Sequence, residues 1–509
     1  MPTLQYQTEP ITKKIPPRRQ DAARHYGMHP YFTRRPWNVV QSYIRHFTVE
    51  GDTVLDPFGG SGVTAVEALI LRRKAVHIDL NPLANFITKQ IAVAPIDIGR
   101  LREAFERVKE ACLPVLSEWK RRDEDFFENR DVPYWYPRSV PLPRNSDARL
   151  VEDLFTRRQL FCLALILDRI NQAEDSTLRD LLLFCFSATL AKTNRTFISA
   201  KNRAETRGGP TIFSVYRYAV PRKPVALDPW EQFSGRFQNL VLCKRETNKF
   251  IGDFYTPGHC KIIQGSATSL TEFLRPGSVD YVFTDPPYGG NIAYLDLSTM
   301  WNSWLGFEVS RRSREEEVIE GGDCRHSKEH YITLLRQSIQ QVSQVLKPHG
   351  WLSLVFEHKN VAFYSAIIEA AEDEGLHHSN TVLQSLDVVW SMHKKKNPMR
   401  VLSGELILNF RRTPKPQRKV RKNAGNLEKL IQEVALEQVE ERGAARTEDI
   451  FNGLLIRLME SNGVSEESVT FDSLLQSLVA HGFWFDPDHA KWYLNEKPVR
   501  SQPRLPFSD

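Results

Sequence analysis

The chain has 509 residues, 41% hydrophobic and 26% charged, a composition typical of globular proteins rather than disordered or fibrous ones. This length predicts about two to four domains. Lysine and arginine (68) exceed aspartate and glutamate (62) only slightly, which permits a polyanionic partner without establishing one. Apolar runs fall short of the ~20 residues of a bilayer span and residues 1–20 lack a signal-peptide core, so we expect a cytoplasmic protein without a membrane partner. Six single cysteines argue against a disulfide framework.

The chain after residue 50 has the alternation typical of a doubly wound parallel sheet. Thr53–Asp56 predicts a strand that ends in an acid, and a glycine-rich turn then leads into an amphipathic helix, Val63–Leu71. A second strand, Ala75–Ile78, ends at Asp79, and Asn81 is typical of the N-cap of the next helix. This β-turn-α-β-α order indicates the first half of an α/β fold with parallel strands.

The same alternation resumes after about residue 256. Predicted strands are Lys261–Gly265, Val279–Thr284, Trp351–Phe356 and an edge hairpin of Val382–Trp390 and Glu405–Phe410. Predicted helices are Tyr331–Leu346, which Lys347–Gly350 ends, and Ser365–Glu374. The sheet is therefore expected to form from two halves that are separate in sequence.

These patterns divide the chain into five parts. A large, mostly helical insertion separates the halves of the sheet, with predicted helices Leu101–Trp119, Val151–Ala173 and Leu178–Thr193. A small helical C-terminal domain has predicted helices Leu427–Glu441, Thr447–Glu460 and Phe471–His481. The parts are the halves of the sheet at 1–98 and 256–412, the insertion at 99–255, a basic linker at 413–423 and the C-terminal domain at 424–509.

The glycine-rich turn has the composition of a nucleoside site. Gly60 and Gly62 let the backbone approach a ligand and present N–H groups at a helix N-terminus. Asp79 follows Asp56 by 23 residues, at the end of the next strand, where an acid can accept hydrogen bonds from two ribose hydroxyls. A plain strand-to-helix turn is the alternative, but the turn, the spacing and the second acid together favour a nucleoside site.

The segment Asp285-Pro286-Pro287-Tyr288 predicts a rigid acceptor site. Two consecutive prolines fix φ and remove two N–H donors, so the chain leaves the preceding strand stiffly with its carbonyls available. A carboxylate beside a rigid carbonyl can accept two hydrogen bonds from one amino group, and Tyr288 offers a flat face on which a base can stack. The alternative is a strand that simply ends in a proline-stiffened turn.

Together, Asp56–Gly62 and Asp285–Tyr288 resemble the motifs of the S-adenosylmethionine-dependent DNA amino-methyltransferases, in particular the adenine-specific DNA methylases. The resemblance covers about 1–98 and 256–410 and implies a Rossmann-like class I methyltransferase sheet with S-adenosylmethionine as cofactor. The cofactor-binding residues that it implies are His29, Asp56, Phe58, Gly60, Gly62, Asp79, Gly265 and Ser266. Ser266 stands where the family usually has an acid.

The resemblance also implies a mechanism, in which the catalytic residues are Asp285, Pro286, Pro287 and Tyr288. The target base leaves the double-stranded DNA, and its amino group donates hydrogen bonds to Asp285 and to the Pro286 carbonyl. These hydrogen bonds expose the nitrogen lone pair for direct displacement, with catalysis by positioning and electrostatics. The implied setting is restriction-modification or phage defence, with restriction or defence-system subunits as possible partners.

Several activities remain open from the sequence. Asp-Pro-Pro-Tyr is, in the family, more typical of N6-adenine than of N4-cytosine methylation, and the chain has no Pro-Cys pair for carbon-5 cytosine methylation. Gly289 after the motif also fits guanine-N2 methyltransferases of tRNA or rRNA, although these usually carry a separate N-terminal RNA-binding domain. A catalytically silent DNA-binding subunit is the non-enzymatic alternative, and Ser266 is its only support.

Target recognition is assigned to the insertion and to basic runs, because cations beside the pocket can contact phosphates. Each of these residues, taken singly, is more typical of a packed aromatic cluster or a solvated helix end. The predicted nucleic-acid contacts are Trp135, Arg138, Asn194, Arg195, Lys201, Arg203, Lys394, Lys395 and Lys396.

We predict no metal site. His326–His330 matches the H-x-x-E-H zinc-protease pattern, but a third ligand and a surrounding apolar helix are missing from the sequence. Ser327 within this segment is instead typical of a helix N-cap.

Overall fold

The computed structural model describes residues 8–19, 23–199, 208–384, 404–413, 427–460 and 471–494. The chain divides into two compact units: one comprises 1–11, 15–354 and 411–414, and the other comprises 12–14, 355–410 and 415–509. Of the predicted basic linker, 413–423, only Thr413 is described.

Helices and strands both occur throughout the described part of the chain. The helices are α1 (Trp37–Phe47), α2 (Val63–Ile70), α3 (Pro82–Ala92), α4 (Ile98–Trp119), α5 (Glu124–Glu128), α6 (Arg157–Asn171), α7 (Ser176–Leu190), α8 (Ile212–Val215), α9 (Pro229–Ile251), α10 (Tyr294–Leu297), α11 (Thr299–Trp304), α12 (Arg311–Glu315), α13 (Lys328–Val345), α14 (Val361–Asp373), α15 (Leu427–Arg442), α16 (Thr447–Glu460) and α17 (Phe471–Ala480). The strands are β1 (Thr53–Asp56), β2 (Lys74–Asp79), β3 (Phe197–Ser199), β4 (Gly208–Pro210), β5 (Cys260–Gln264), β6 (Val279–Thr284), β7 (Leu346–Phe356), β8 (Leu376–Gln384), β9 (Glu405–Arg412), β10 (Phe483–Asp486) and β11 (Lys491–Leu494). Among the described residues, no helix has both the length and the apolar character needed to cross a membrane.

The sheet of the first unit contains strands in the order β5-β2-β1-β6-β7, and each neighbouring pair is parallel. The order runs outward from β1 to β5 on one side and from β6 to β7 on the other, so the winding reverses between β1 and β6. All six positions of β6 are buried, as is typical of a parallel strand covered on both faces. The predicted doubly wound α/β fold is therefore confirmed, and its two halves meet where Val54 pairs with Tyr281.

Strand β7 begins earlier than the sequence predicts. Leu346 pairs with Val279, and Trp351 pairs with Tyr281, so the residues between Leu346 and Trp351 bulge out of the ladder. His349, within this bulge, has a φ of 65°. The preceding helix α13 ends at Val345, just before Lys347–Gly350 as predicted, and these four residues belong to an irregular strand.

The helical insertion belongs to the first unit, together with the sheet. Helices α4, α6, α7 and α9 pack on one another, and α7 and α9 also contact α3. Lys244 of α9 is buried, and its Nζ donates hydrogen bonds of 2.7–3.0 Å to the carbonyls of Gln90, Ile91 and Val93. Helix α9 is not among the predicted helices, although Asp228 caps it and a proline follows in the first turn, both typical start signals.

The second unit contains α14, β8, the start of β9 and the C-terminal elements. Helix α14 packs on β8, and β8 and β9 are neighbouring strands. Strand β8 begins at Leu376 instead of Val382, and the remainder of the predicted strand, 385–390, lies outside the described residues. The three C-terminal helices match the predicted ones to within one residue at each end. An antiparallel hairpin of β10 and β11 follows them, which the helical patterns do not predict.

Candidate functional site

A cavity lies at the carboxyl ends of β1 and β6, where the winding of the sheet reverses. The space inside it is about 840 Å³, open solvent included. The predicted site residues that line it are Asp56, Phe58, Gly60, Asp79, Gly265, Ser266, Asp285 and Pro287. Both sequence motifs, which are far apart along the chain, therefore contribute to one cavity.

The glycine-rich turn packs closely on the strand beside it. The Gly60 N–H donates to Asp79 Oδ2 at 2.8 Å, and the Gly59 N–H donates to a carbonyl of β2 at 3.0 Å. A Cβ atom on Gly59 would lie 2.1 Å from the ring of His77, which is buried beneath the turn. Gly59 is therefore required by packing, although the sequence reasoning singled out only Gly60 and Gly62.

Asp79 is poised to accept hydrogen bonds. Its carboxylate accepts hydrogen bonds from the N–H groups of Gly60 and Asn81, each at 2.8 Å. These two hydrogen bonds hold the carboxylate in the cavity lining. Burial raises the pKa of Asp79 to about 6, against the lowering effect of the two backbone donors. Near neutral pH the carboxyl is thus mostly ionised and acts as an acceptor.

Asp56 connects the two halves of the sheet. Its Oδ1 accepts from the Thr284 hydroxyl at 2.9 Å and from the Phe58 N–H at 3.1 Å, and its Oδ2 accepts from the Thr64 hydroxyl at 2.7 Å. Burial raises the pKa of Asp56 to about 7. Since both oxygens already have partners inside the chain, the first task of this residue is to join β1, β6 and the glycine-rich turn.

The Asp285–Tyr288 segment follows β6 and carries a charged contact. Asp285 Oδ2 lies 2.7 Å from Arg35 Nε, and Asp285 Oδ1 accepts from the Tyr288 hydroxyl at 2.5 Å. The carbonyl of Pro287 accepts from the Tyr331 hydroxyl at 2.7 Å. Tyr288 is half-buried and, like the buried Pro286, lies outside the cavity lining.

Three further predicted residues lie near the cavity in different roles. Gly62 is the N-cap of α2, with a φ of 81°, and is outside the lining. Ser266 lines the cavity, but its hydroxyl caps a short 3-10 helix by accepting from the Thr268 N–H at 3.2 Å. Gly265 packs against the ring of Phe273, which lies 2.6 Å from where a Cβ would stand.

His29 is not part of the cavity lining. Its Nε2 is 2.8 Å from the Ser187 hydroxyl of α7, its Nδ1 is 2.6 Å from the Pro30 carbonyl, and its ring stacks on Phe184. Burial lowers the pKa of the imidazole to about 3, so the ring is neutral. In this structure His29 ties the N-terminal segment to the insertion, and the residues that follow it reach the cavity instead.

Further residues of the cavity lining, outside the predicted site residues, include Tyr31, Arg34, Arg35, Tyr294 and Glu317. The rings of Tyr31 and Tyr294 stack with centroids 6.1 Å apart. Glu317 is buried and accepts from the Leu295 N–H at 3.0 Å, and burial raises its pKa to about 8. Tyr31, Arg34 and Arg35 belong to an aromatic and basic run directly after His29-Pro30, and this run could have indicated them from the sequence. Glu317 belongs to a run of three glutamates that matches no motif.

Comparison with known proteins agrees with this geometry. Residues 6–89 match a family model described as DNA methylase. The type II methyltransferase M.MjaII of Methanocaldococcus jannaschii is 24% identical over 372 residues, which are 58% of this chain and 67% of that protein. The type II methyltransferase M.MvaI of Kocuria varians is 23% identical over 280 residues, 52% of this chain and 54% of that protein. The predicted resemblance to the S-adenosylmethionine-dependent DNA methyltransferases is confirmed.

The DNA methyltransferase relatives are longer than the matched part of this chain, which spans 67% and 54% of their lengths.

Among solved structures, TrmN from Thermus thermophilus has 10% sequence identity and a TM-score of 0.27, over 74% of this chain and 49% of that chain. The fold assignment therefore rests on the strand order of the sheet. The family match also supports S-adenosylmethionine as the cofactor.

The cavity residues fit S-adenosylmethionine. Asp79 provides the acceptor that ribose hydroxyls require, and the glycine-rich turn leaves the backbone open towards the cavity. Tyr31 and Phe58 supply aromatic surface in the same lining. The cavity thus has the acceptor and stacking groups that an adenosyl group needs.

The predicted DNA contacts differ in accessibility. Trp135 is 58% exposed, and the guanidinium of Arg138 stands 4.6 Å from the ring of Tyr136. Arg195 is exposed and donates to a backbone carbonyl at 3.2 Å. Asn194 is buried, with its amide bonded to the end of α7 and to Thr196, so it is a helix-end cap without a surface to offer a phosphate. The remaining predicted contacts, Lys201, Arg203, Lys394, Lys395 and Lys396, lie outside the described residues.

The H-x-x-E-H segment lies at the start of α13. Ser327 caps this helix by accepting from the His330 N–H at 3.2 Å, as the sequence predicts. His326 and His330 contact each other with ring centroids 4.3 Å apart. Within the described residues, no group of three or more histidine, cysteine, aspartate or glutamate side chains is arranged to hold a metal ion.

Proposed function

We propose that this protein transfers the methyl group of S-adenosylmethionine to the exocyclic N6 amino group of adenine in double-stranded DNA, in the cytoplasm. One observation carries the proposal: the nucleoside acceptor Asp79 and the amino-group acceptor Asp285 line the same cavity. A nucleoside site alone would fit many cofactors, and a carboxylate-proline turn alone would fit many strand ends. Their convergence on one cavity is what this reaction requires.

The cofactor half of the proposed site consists of the glycine-rich turn and the ends of β2 and β5. Asp79 receives the ribose, Phe58 and Tyr31 flank the adenosyl group, and Gly60 keeps the turn free of a side chain. When bound, S-adenosylmethionine supplies a methyl group on a positively charged sulfur, and the sulfur keeps the electron pair of the broken carbon–sulfur bond. Residues of this half need only hold and orient the cofactor.

The catalytic half acts on the target base. An aromatic amino group is a weak nucleophile because its lone pair is delocalised into the ring. Hydrogen bonds from its two N–H groups to Asp285 and to the Pro286 carbonyl favour the pyramidal form, whose lone pair forms the new nitrogen–carbon bond. Asp285 can then hold the proton that the nitrogen loses before it passes to solvent. The carbonyl of the neighbouring Pro287 accepts from the Tyr331 hydroxyl at 2.7 Å, a contact that holds the turn.

Adenine is proposed over cytosine because of the Asp-Pro-Pro-Tyr motif, and DNA over RNA because of the relatives and the long insertion. The exposed Trp135 and the cations Arg138 and Arg195 are proposed to contact DNA beside the cavity. The base must leave the duplex to reach Asp285, at an expected cost of about a few kcal/mol. Restriction-modification or phage defence is the proposed setting.

Replacement of Asp285 tests the proposal. We expect Asp285→Ala to lose methyl transfer to DNA by at least ~100-fold while the affinity for S-adenosylhomocysteine, measured by calorimetry, stays within a few-fold. Asp253→Ala is the matched control, because it removes an exposed carboxylate that pairs with Arg72 outside the cavity lining. Methyl transfer that persists in Asp285→Ala would overturn the assignment.

A further inference from the structure

The ion pair between Arg35 and Asp285 belongs to neither sequence motif, yet it lies at the proposed reaction centre. Arg35 Nε stands 2.7 Å from Asp285 Oδ2, and the two side chains are only 16% and 20% exposed. Both residues line the cavity. They come from opposite halves of the sheet, so the contact exists only in the folded protein.

The position of Arg35 is set on both sides along the chain. Arg34 is anchored by hydrogen bonds to the Ser61 hydroxyl at 2.9 Å and to the carbonyls of Tyr26 and His29 at 2.6 and 2.9 Å. On the other side Pro36 leads directly into α1. These contacts fix the backbone at Arg35, and its guanidinium faces the Asp285 carboxylate.

Both oxygens of the Asp285 carboxylate have a partner inside the chain. Oδ2 faces Arg35, and Oδ1 accepts from the Tyr288 hydroxyl at 2.5 Å. A carboxylate oxygen can accept more than one hydrogen bond, so these contacts orient the group and leave acceptor capacity for an amino group. An acceptor that is already oriented stabilises the transition state better than a mobile one, because it does not have to reorganise when the substrate binds.

Other ionisable groups lie near Asp285. The negative charge of Asp285 is one of the causes that raise the pKa of Asp56 and the pKa of Tyr294, after burial. Arg35 supplies positive charge at this cluster, and its effect also reaches Tyr294. An arginine beside an aspartate favours the ionised carboxylate, the form that accepts hydrogen bonds from an amino group.

We propose that Arg35 is a positioning residue for amino-group methylation: it orients Asp285 and keeps it ionised so that it can receive the target amino group. This inference rests on the proposed function of Asp285. Arg35 acts through Asp285 and need not touch the base or the cofactor. Loss of its charge should therefore affect turnover and its pH dependence more than cofactor binding.

The test compares Arg35→Met, which removes the charge, with Arg35→Lys, which keeps it. For Arg35→Met we expect kcat at pH 7 to fall about ten- to hundredfold because Asp285 is no longer held in place. We also expect the acid limb of the kcat profile to move up by about one pH unit or more, because the carboxylate loses its neighbouring positive charge. Arg35→Lys should recover part of both effects. Binding of S-adenosylhomocysteine should stay within about twofold in both, and Arg72→Met, which removes an exposed ion pair, should match the parent throughout.

A second readout separates this inference from the proposed function. Carbon-13 titration of the Asp285 carboxyl, assigned with Asp285→Asn, should give a higher pKa in Arg35→Met than in the parent, with Arg35→Gln used if the methionine variant does not fold. An unchanged acid limb and an unchanged Asp285 titration would overturn the role of Arg35. A parent protein that transfers no methyl group to DNA would overturn the proposed function instead. The carbon-13 titration of Asp285 would still show whether Arg35 lowers the pKa of this carboxyl.

Discussion

The backbone N–H of Gly60 donates to Asp79 Oδ2 at 2.8 Å, which ties the glycine-rich turn to the end of the neighbouring strand. Asp79 therefore shapes the turn as well as offering an acceptor to the cavity. We predict that Asp79→Asn lowers the affinity for S-adenosylhomocysteine by about ten- to hundredfold, since a charged acceptor is replaced by a neutral amide. Calorimetry on the parent and the variant measures this directly.

The same carboxyl predicts a pH dependence of cofactor binding. Because burial raises the pKa of Asp79 to about 6, the acceptor form is present above that pH and is lost as the pH falls through it. Affinity for S-adenosylhomocysteine should thus decline between about pH 7 and pH 5 in the parent. In Asp79→Asn this part of the decline should be absent, and a variant with the parental pH profile would contradict the assignment.

Gly62 tests the packing of the turn. An added Cβ would lie 2.4 Å from Thr88 Oγ1, a hydroxyl that is itself bonded to the Ala84 carbonyl at 2.9 Å and cannot move aside freely. Gly62→Ala should lower the free energy of unfolding by about 2–4 kcal/mol, the sum of overpacking and a left-handed φ. Gly51→Ala is the matched control, because its φ of 87° is also left-handed but no atom lies within 4 Å of the new Cβ.

Chemical denaturation of the two glycine variants separates these contributions. Gly51→Ala should lose only about 1–2 kcal/mol, from backbone strain alone. Equal losses in the two variants would mean that Thr88 yields easily and that the turn is not closely packed.

Glu317 predicts a change of stability with pH. Its pKa is raised by burial to about 8, well above the ~4.3 of an unfolded glutamate, so the folded protein keeps this proton over a range in which the unfolded chain has lost it. Stability due to this group is therefore greatest below about pH 4 and falls as the pH rises towards 8. Glu317→Gln keeps an acceptor for the Leu295 N–H and removes the titration.

The comparison of the two proteins across pH provides the measurement. Glu317→Gln should be more stable than the parent by about 1–3 kcal/mol at pH 8, and the difference should shrink towards pH 5. Denaturant unfolding at several pH values measures it. A difference that is constant with pH would show that Glu317 does not titrate in this range.

Tyr331 is predicted to support the proline turn. Its hydroxyl donates to the Pro287 carbonyl at 2.7 Å, and the residue is fully buried. Tyr331→Phe removes this donor, which should lower the free energy of unfolding by about 1–2 kcal/mol and kcat by several-fold, with cofactor affinity unchanged. A kcat equal to that of the parent would limit Tyr331 to a packing role.

The strand ends of this fold were predictable from local sequence. Asp56, Asp79 and Asp285 each follow a short apolar run, and parallel strands bring their carboxyl ends to one edge of the sheet. Their shared cavity follows from this topology. The N-caps at Asn81 and Ser327 were likewise predictable, because capping depends on a few neighbouring residues.

Other features depend on packing between distant segments, which no local pattern records. Arg35 and Asp285 are 250 residues apart in sequence and meet at the cavity, and the buried Glu317 accepts from the Leu295 N–H of α10. Asn194 has the composition of an exposed helix end, yet the fold covers it. His29 shows the same limit, since its partner Ser187 lies in the insertion.

The reaction itself is tested most directly by the identity of the methylated nucleoside. The parent protein is incubated with methyl-labelled S-adenosylmethionine and either duplex DNA or tRNA, and the products are digested and separated. We predict label in N6-methyldeoxyadenosine from duplex DNA, with transfer lost in Asp285→Ala. Label in N4-methyldeoxycytidine or in a tRNA guanosine, or no transfer to DNA at all, would contradict the account.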